Sequence, residues 1–240
     1  MRARARVAAE RDGRGGSRLV TLRSEAPLLL RSTPQALYLV GGAGGPLGGD
    51  DVSLEIVIGS GARLTVRTAA ASIALPGAGP SRFRVWARVA EGGELRWLPE
   101  PLVAATACDH HMEATVVLEG DARLVWREEL VLGRHSEPSG SVSSRSDVDL
   151  DATPLLRHEL ALGPAHPGAA SPAVTAGARA VGSVVMIGPD WASSAPAVLR
   201  TTAAVLALAR SGLQVVALAD DASVLRSSLD AGMTRCPWSS

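Results

Sequence analysis

The densest run of potential ligand atoms is Cys108-Asp109-His110-His111-Met112-Glu113. Its thiol, imidazoles and carboxylates are of the kinds that hold nickel or zinc. Neighbouring histidines on an extended backbone point to opposite faces, so His110 and His111 are poorly placed to share one ion. No second His/Cys cluster supplies the missing ligands, and the plainer reading is a solvated loop. Ser, His and Asp all occur, but no G-x-S-x-G elbow does, and His135, His158 and His166 are isolated. Glu128-Glu129 lie in Trp126–Leu132, where alternation lets only one of them face an interior. Paired-carboxylate hydrolysis needs a second acid that the sequence does not place.

Two further carboxylates close distinctive motifs. Asp50 ends Gly41–Asp50, GGAGGPLGGD, in which six of ten residues are glycine, and Glu100 lies in Trp97-Leu98-Pro99-Glu100-Pro101. Glycines at that density mark a tight turn, because they accept φ > 0 and close backbone approach. A carboxylate after such a turn can simply cap backbone N–H groups. It can also line a polar passage or partner surface through which a divalent cation is handed on, since oxygen ligands hold nickel weakly enough to release it.

Two other chemistries are excluded outright. Lys and Arg together number 24, every one an arginine. A Walker P-loop and a pyridoxal Schiff base each require a lysine, so neither is available. No G-x-G-x-x-G leads from a strand into a helix, and Gly42-x-Gly44 continues with Leu47, so a dinucleotide site is only weakly suggested. The formal net charge is zero, so no bulk attraction to nucleic acid or to an anionic membrane is expected. The arginines of Met1–Arg18 read as a weakly ordered, frayed terminus. Two cysteines in 240 residues make no disulfide framework, and no apolar run reaches membrane-spanning length. The chain reads as cytoplasmic.

The elements that must position these residues are mostly strands. At 46% hydrophobic and 3% aromatic, the core must be built from Val, Leu, Ile and Ala. Val52–Ile58 alternates at period two, as do Ala62–Thr68 and Arg82–Val89, and Gly92-Gly93 reads as a hairpin signal before Glu94–Leu98. Glu113–Leu118, Ala122–Leu132, Val142–Leu150 and Leu155–Leu162 continue the series. Strands at intervals of about ten residues point to a sandwich, barrel or solenoid. No single period repeats with one motif.

Ala165–Gly177 reads as a linker and Val181–Ile187 as a strand. Over Ala195–Ser211 the period changes: Val198, Leu199, Thr202, Val205, Leu206 and Ala209 fit one helical face, with Pro196 in the first turn and Gly212 as the stop. After a strand at Gln214–Ala219, Asp220-Asp221 caps a last helix through Ala231.

Four markers in order resemble the urease accessory proteins called UreD or UreH. They are the glycine turn Gly44-Gly45-Pro46-Leu47-Gly48-Gly49-Asp50, the strand Gly61–Ala70 with Thr68 before its alanines, Trp97–Pro101, and Glu128 ahead of Gly133-Arg134. The resemblance covers residues 1–165 well and the rest loosely. Where a basic residue and a tyrosine commonly follow the threonine-alanine strand, Ser72-Ile73-Ala74-Leu75 stands here. After Gly-Arg, His135-Ser136-Glu137-Pro138 replaces the usual Ala-x-Gly-Glu.

The resemblance implies a mainly β fold in a single domain over 1–240. Irregular stacked β-sheets would form a β-helix-like body (17–190), with two α-helices toward the C-terminus (195–231). It also implies a non-enzymatic urease maturation factor that binds apo-urease and a UreF-like helical accessory protein, and through it a UreG-like GTPase. No cofactor would be tightly bound; Ni²⁺ would be in transit. Gly48, Gly49, Asp50, Thr68, Trp97, Pro99, Glu100, Glu128, Gly133 and Arg134 become the partner or nickel-passage candidates, and Trp97, Trp126 and Trp191 candidate interface anchors. The competing readings are a β-rich hydrolase with scattered site residues, and a ligand-binding β-module without a metal role.

Overall fold

The computed structural model describes residues 1–166, 168–169, 171–189 and 196–235. The first half of the chain forms β1 (Arg2–Arg11), β2 (Ser17–Ser24), β3 (Leu28–Ser32), β4 (Leu37–Gly41), β5 (Asp51–Ile58), β6 (Arg63–Thr68), β7 (Ser72–Ala74), β8 (Ser81–Val89), β9 (Glu94–Leu98) and β10 (Leu102–Ala104). The second half adds β11 (Asp109–Leu118), β12 (Arg123–Leu132), β13 (Ser141–Leu150), β14 (Thr153–Leu162), β15 (Ala180–Ile187), β16 (Ala197–Arg200), β17 (Ala203–Ala207), β18 (Gly212–Ala219) and the helix α1 (Ala222–Met233).

These strands make two sheets. The first runs β14-β13-β11-β8-β5-β1-β2; the second runs β16-β17-β18-β15-β12-β9-β6-β4-β3, with β10 bridging β12 and β7 beside it. Successive coils cross from the first sheet to the second and back, so β5, β8, β11 and β13 pair in parallel, as do β6, β9 and β12. Leu54 lies beside Val85, Val85 beside Ala114, and Ala114 beside Ser146. The chain thus returns to the same level about every thirty residues, within the range of solenoid repeats. The expected mainly β, stacked architecture is what forms.

Alternation then decides what is inside. Leu54, Ile56, Ile58, Val85, Ala87, Val89, Val116 and Leu118 project from the first sheet onto Val66, Leu95, Trp97, Leu124 and Trp126 of the second. The opposite face of the second sheet is covered as well: Val125, Val184, Met186 and Val215 pack against Leu225 and Leu229 of α1. Asp221 caps α1 as expected, its carboxylate accepting the N–H groups of Ser223 and Val224.

Four expectations are corrected. Residues 2–11 are an interior strand, paired in parallel with β5 and antiparallel with β2; Ala3, Ala5, Val7 and Ala9 are buried while the intervening arginines face out. The helix expected over Ala195–Ser211 is absent in its described part: residues 196–211 hold β16 and β17, and Gly212 opens β18. Pairing of β17 with β18 buries Ala203 and Val205 at period two, and this overrides a helical spacing of apolar residues. Gly92-Gly93 is a solenoid corner, not a hairpin turn, because β8 and β9 lie in different sheets. Residues 109–112 belong to β11 and are not a solvated loop.

Candidate functional site

Beside the glycine-rich turn and the short strands β7 and β10, the two sheets border a cavity of about 620 Å³ lined from several successive coils. Its walls include Asp50, Thr68, Trp97, Pro99, Glu100, His110, Glu128 and Arg134, so residues far apart in sequence meet there. Gly48, Gly49, Gly133 and His111 do not line it.

The glycine turn is built by backbone crossing. Gly48 donates its N–H to Leu75 O at 3.0 Å, and a Cβ on Gly48 would overlap the backbone of Gly77. Gly49 holds φ at +91°, the left-handed region that favours glycine. Asp50 closes the turn by accepting the Leu47 N–H at 2.9 Å, and its other oxygen meets the Met1 ammonium at 2.5 Å. Burial alone would push this carboxyl up; the two hydrogen bonds outweigh it and hold the pKa low. Asp50 is therefore a capping residue that also faces the cavity.

Thr68 and Glu100 join two of the motifs directly: Thr68 Oγ1 accepts the Glu100 N–H at 2.8 Å. The Glu100 carboxylate accepts from Arg226 Nη1 of α1 at 2.8 Å. Trp97 stacks on Trp126, ring centroids 4.9 Å apart and planes 14° from parallel, with Phe83 beyond it at 6.3 Å. Both tryptophans are buried, so they are core residues rather than interface anchors. Trp191 lies outside the described residues.

Glu128 is part of the cavity wall. It accepts the hydroxyls of Ser144 at 2.6 Å and Ser146 at 2.8 Å from the opposite sheet, and the Trp126 indole N–H at 2.9 Å. Glu128 also lines a second cavity of about 450 Å³, together with Ser144, His158, Ser183 and Arg200.

Glu129, also part of the cavity wall, turns toward α1, where Arg226 Nε donates to it at 3.1 Å and Arg127 Nη1 stands at 3.6 Å. Both glutamates are thus turned inward, one on each face of a sheet covered on both sides. Burial raises the Glu129 pKa against the pull of the arginines. A raised acid in a cavity is what a hydrolase would need, but two guanidinium groups engage this one, and the neighbouring carboxylate of Glu100 shares Arg226 with it.

His110 is buried, its Nδ1 2.8 Å from Ser81 Oγ, and burial, with a smaller contribution from His111, pushes its pKa down to about 4. His111 turns to the opposite face, with Nδ1 2.7 Å from Ser143 Oγ and Nε2 3.2 Å from Asp109. The two imidazoles do not converge, and among the described residues no group of three or more His, Cys, Asp or Glu is arranged to hold a metal. Gly133 has φ +81°, and its strand end presents Arg134, which grips Glu137 through two hydrogen bonds of 2.9 Å. That grip holds the Glu137 carboxyl down at about 2.

Sequence reasoning missed Arg127, Arg226, Ser144 and Ser146. Nothing in their local patterns signals these contacts, because each partner is distant in the chain. Glu128-Glu129 was the one available hint.

A family model described as UreD urease accessory protein matches residues 1–237. The chain is 45% identical to the urease accessory protein UreD of Parafrankia sp. (strain EAN1pec), over 96% of this chain and 87% of that one. It is 46% identical to urease accessory protein UreD 3 of Streptomyces griseus subsp. griseus, over 97% and 96% of the two chains. Against the UreD of Frankia alni the identity is 42%, over 96% and 92%.

Proposed function

The chain belongs to the UreD urease accessory protein family and so has a role in urease maturation; from that premise we propose that it is a non-enzymatic scaffold through which Ni²⁺ reaches apo-urease. In this reading it holds apo-urease and a UreF-like helical accessory protein in one assembly. A UreG-like GTPase, attached through the helical protein, supplies the metal.

The observation that carries the reading is the setting of Glu128. Its carboxylate stands at the junction of two cavities, and the three groups that hydrogen-bond it are uncharged. A negative charge with no salt-bridge partner among the described residues favours a passing cation. Asp50 and Glu100, by contrast, are each met by a positive group. The donors are hydroxyl and carboxylate oxygens, which bind nickel too weakly to retain it. That suits transfer better than storage, and Ni²⁺ here is cargo, not a resident cofactor. No helix among the described residues is long and apolar enough to cross a membrane.

Tagged chain co-purified with apo-urease and the helical accessory protein, followed by nickel analysis of urease made with and without it, tests the reading. A complex and nickel-poor urease in its absence are expected. Fully nickel-loaded urease without the chain would contradict it.

A further inference from the structure

α1 is joined to the second sheet by an apolar face and by a charged network, and the two differ in quality. Leu225 and Leu229 are completely buried against Val184, Met186 and Val215. Beside them Arg226 donates to Glu100 at 2.8 Å and to Glu129 at 3.1 Å, while Arg127 of β12 donates to Asp230 of α1 and stands 3.6 Å from Glu129. Arg226 Nη2 and Arg127 Nε are buried with no hydrogen-bond partner.

This network is buried only at Glu129 and Arg127 and partly exposed at Arg226, Glu100 and Asp230, and it stabilises less than a fully satisfied one, because the unpaired buried N–H groups keep their desolvation cost. Docking of α1 therefore rests chiefly on a short apolar face. Helices held in that way undock more readily than the core around them.

The network nevertheless reaches the cavity. Glu100 lies between Pro99 and Pro101, its N–H is fixed by Thr68 Oγ1, and its carboxylate, part of the cavity wall, is held by Arg226. We propose that α1 is a reversible latch on the cavity, with Arg226 as the positioning residue that ties docking of the helix to the placement of Glu100. With α1 docked, the guanidinium neutralises Glu100 and holds its segment still. With α1 drawn away, the carboxylate is released into the cavity and the segment from Trp97 to Ala104 loosens.

The inference rests on the proposed function only in treating the cavity as functional. Its test contains neither nickel nor urease, so its failure and the failure of that reading are separable. Coupling between two sites is reciprocal. Hydrogen exchange is measured on the full chain, on Arg226→Gln and on Glu100→Gln. Each variant is expected to speed exchange about five-fold or more both in 222–233 and in 97–104. Glu100→Gln is partly exposed and removes no helix packing, so it decides alone if Arg226→Gln does not fold. Faster exchange confined to one segment, or no change in either, overturns the latch: a merely structural Arg226 would loosen the helix and leave 97–104 as it was.

Discussion

The carboxylate of Glu128, on the second sheet, accepts the hydroxyl of Ser144, on the first, at 2.6 Å. With Ser146 and the Trp126 indole, this makes one side chain the meeting point of both sheets and both cavities. It is a polar crossing inside a stack otherwise closed by Val, Leu, Ile and Ala.

Glu128→Ala strands three donors without their acceptor. Each buried donor left unmet costs about 1–3 kcal/mol, so the loss is expected to be at least that large. Urea unfolding is expected to fall by at least that amount, while Glu128→Gln, which keeps the shape and one acceptor oxygen, loses less. Equal stability of all three proteins would contradict this account of the crossing.

Stability is expected to depend on pH through His110. Burial pushes its folded-state pKa down to about 4 from an ordinary 6.5. Between those values the unfolded chain binds a proton that the folded one does not, so stability rises with pH across that window. The contribution is complete above about pH 6.5, is lost as pH drops to about 4, and is on the order of 3 kcal/mol. Denaturation of His110→Asn between pH 4 and 7 is expected to show a shallower slope than the parent; an unchanged slope would assign the effect elsewhere.

The glycine turn offers a paired comparison. A Cβ on Gly48 meets the Gly77 backbone, whereas a Cβ on Gly44 meets nothing within 4 Å. Gly48→Ala is expected to lose about 1–3 kcal/mol by overpacking, with Gly44→Ala close to the parent. Thermal melts of the two separate a specified crossing from a merely loose loop, in which both would behave alike.

Trp97 tests the assignment of the aromatic stack to the core. Trp97→Ala removes a buried ring stacked on Trp126, and a loss of about 3–5 kcal/mol is expected. An interface anchor would instead leave the isolated chain stable and weaken only its complexes.

The sequence made the strands of the body legible wherever large apolar residues alternate, as in Val52–Ile58 and Arg82–Val89. β1 escaped because its inward residues are chiefly alanine, which signals no strand, and its burial comes from pairing with β5 some fifty residues away. The false helix arose because Val198, Thr202, Val205, Leu206 and Ala209 fall at helical spacing, while the strand pairing that overrides it lies in β18. The motif residues that line the cavity were readable as markers, yet the division between capping and cavity roles was not. Asp50 and Glu128 look alike in sequence, and only the charge of their partners distinguishes them.

The most direct measurement is the nickel content of urease matured with a chain whose cavity is obstructed. Ala70 lines the cavity yet is exposed, so Ala70→Trp adds bulk there without entering the core. If Ni²⁺ travels through this cavity, urease made with Ala70→Trp will carry markedly less nickel than urease made with the parent, while the complex with apo-urease still forms. Urease fully loaded with nickel in the presence of an intact Ala70→Trp complex would contradict the passage.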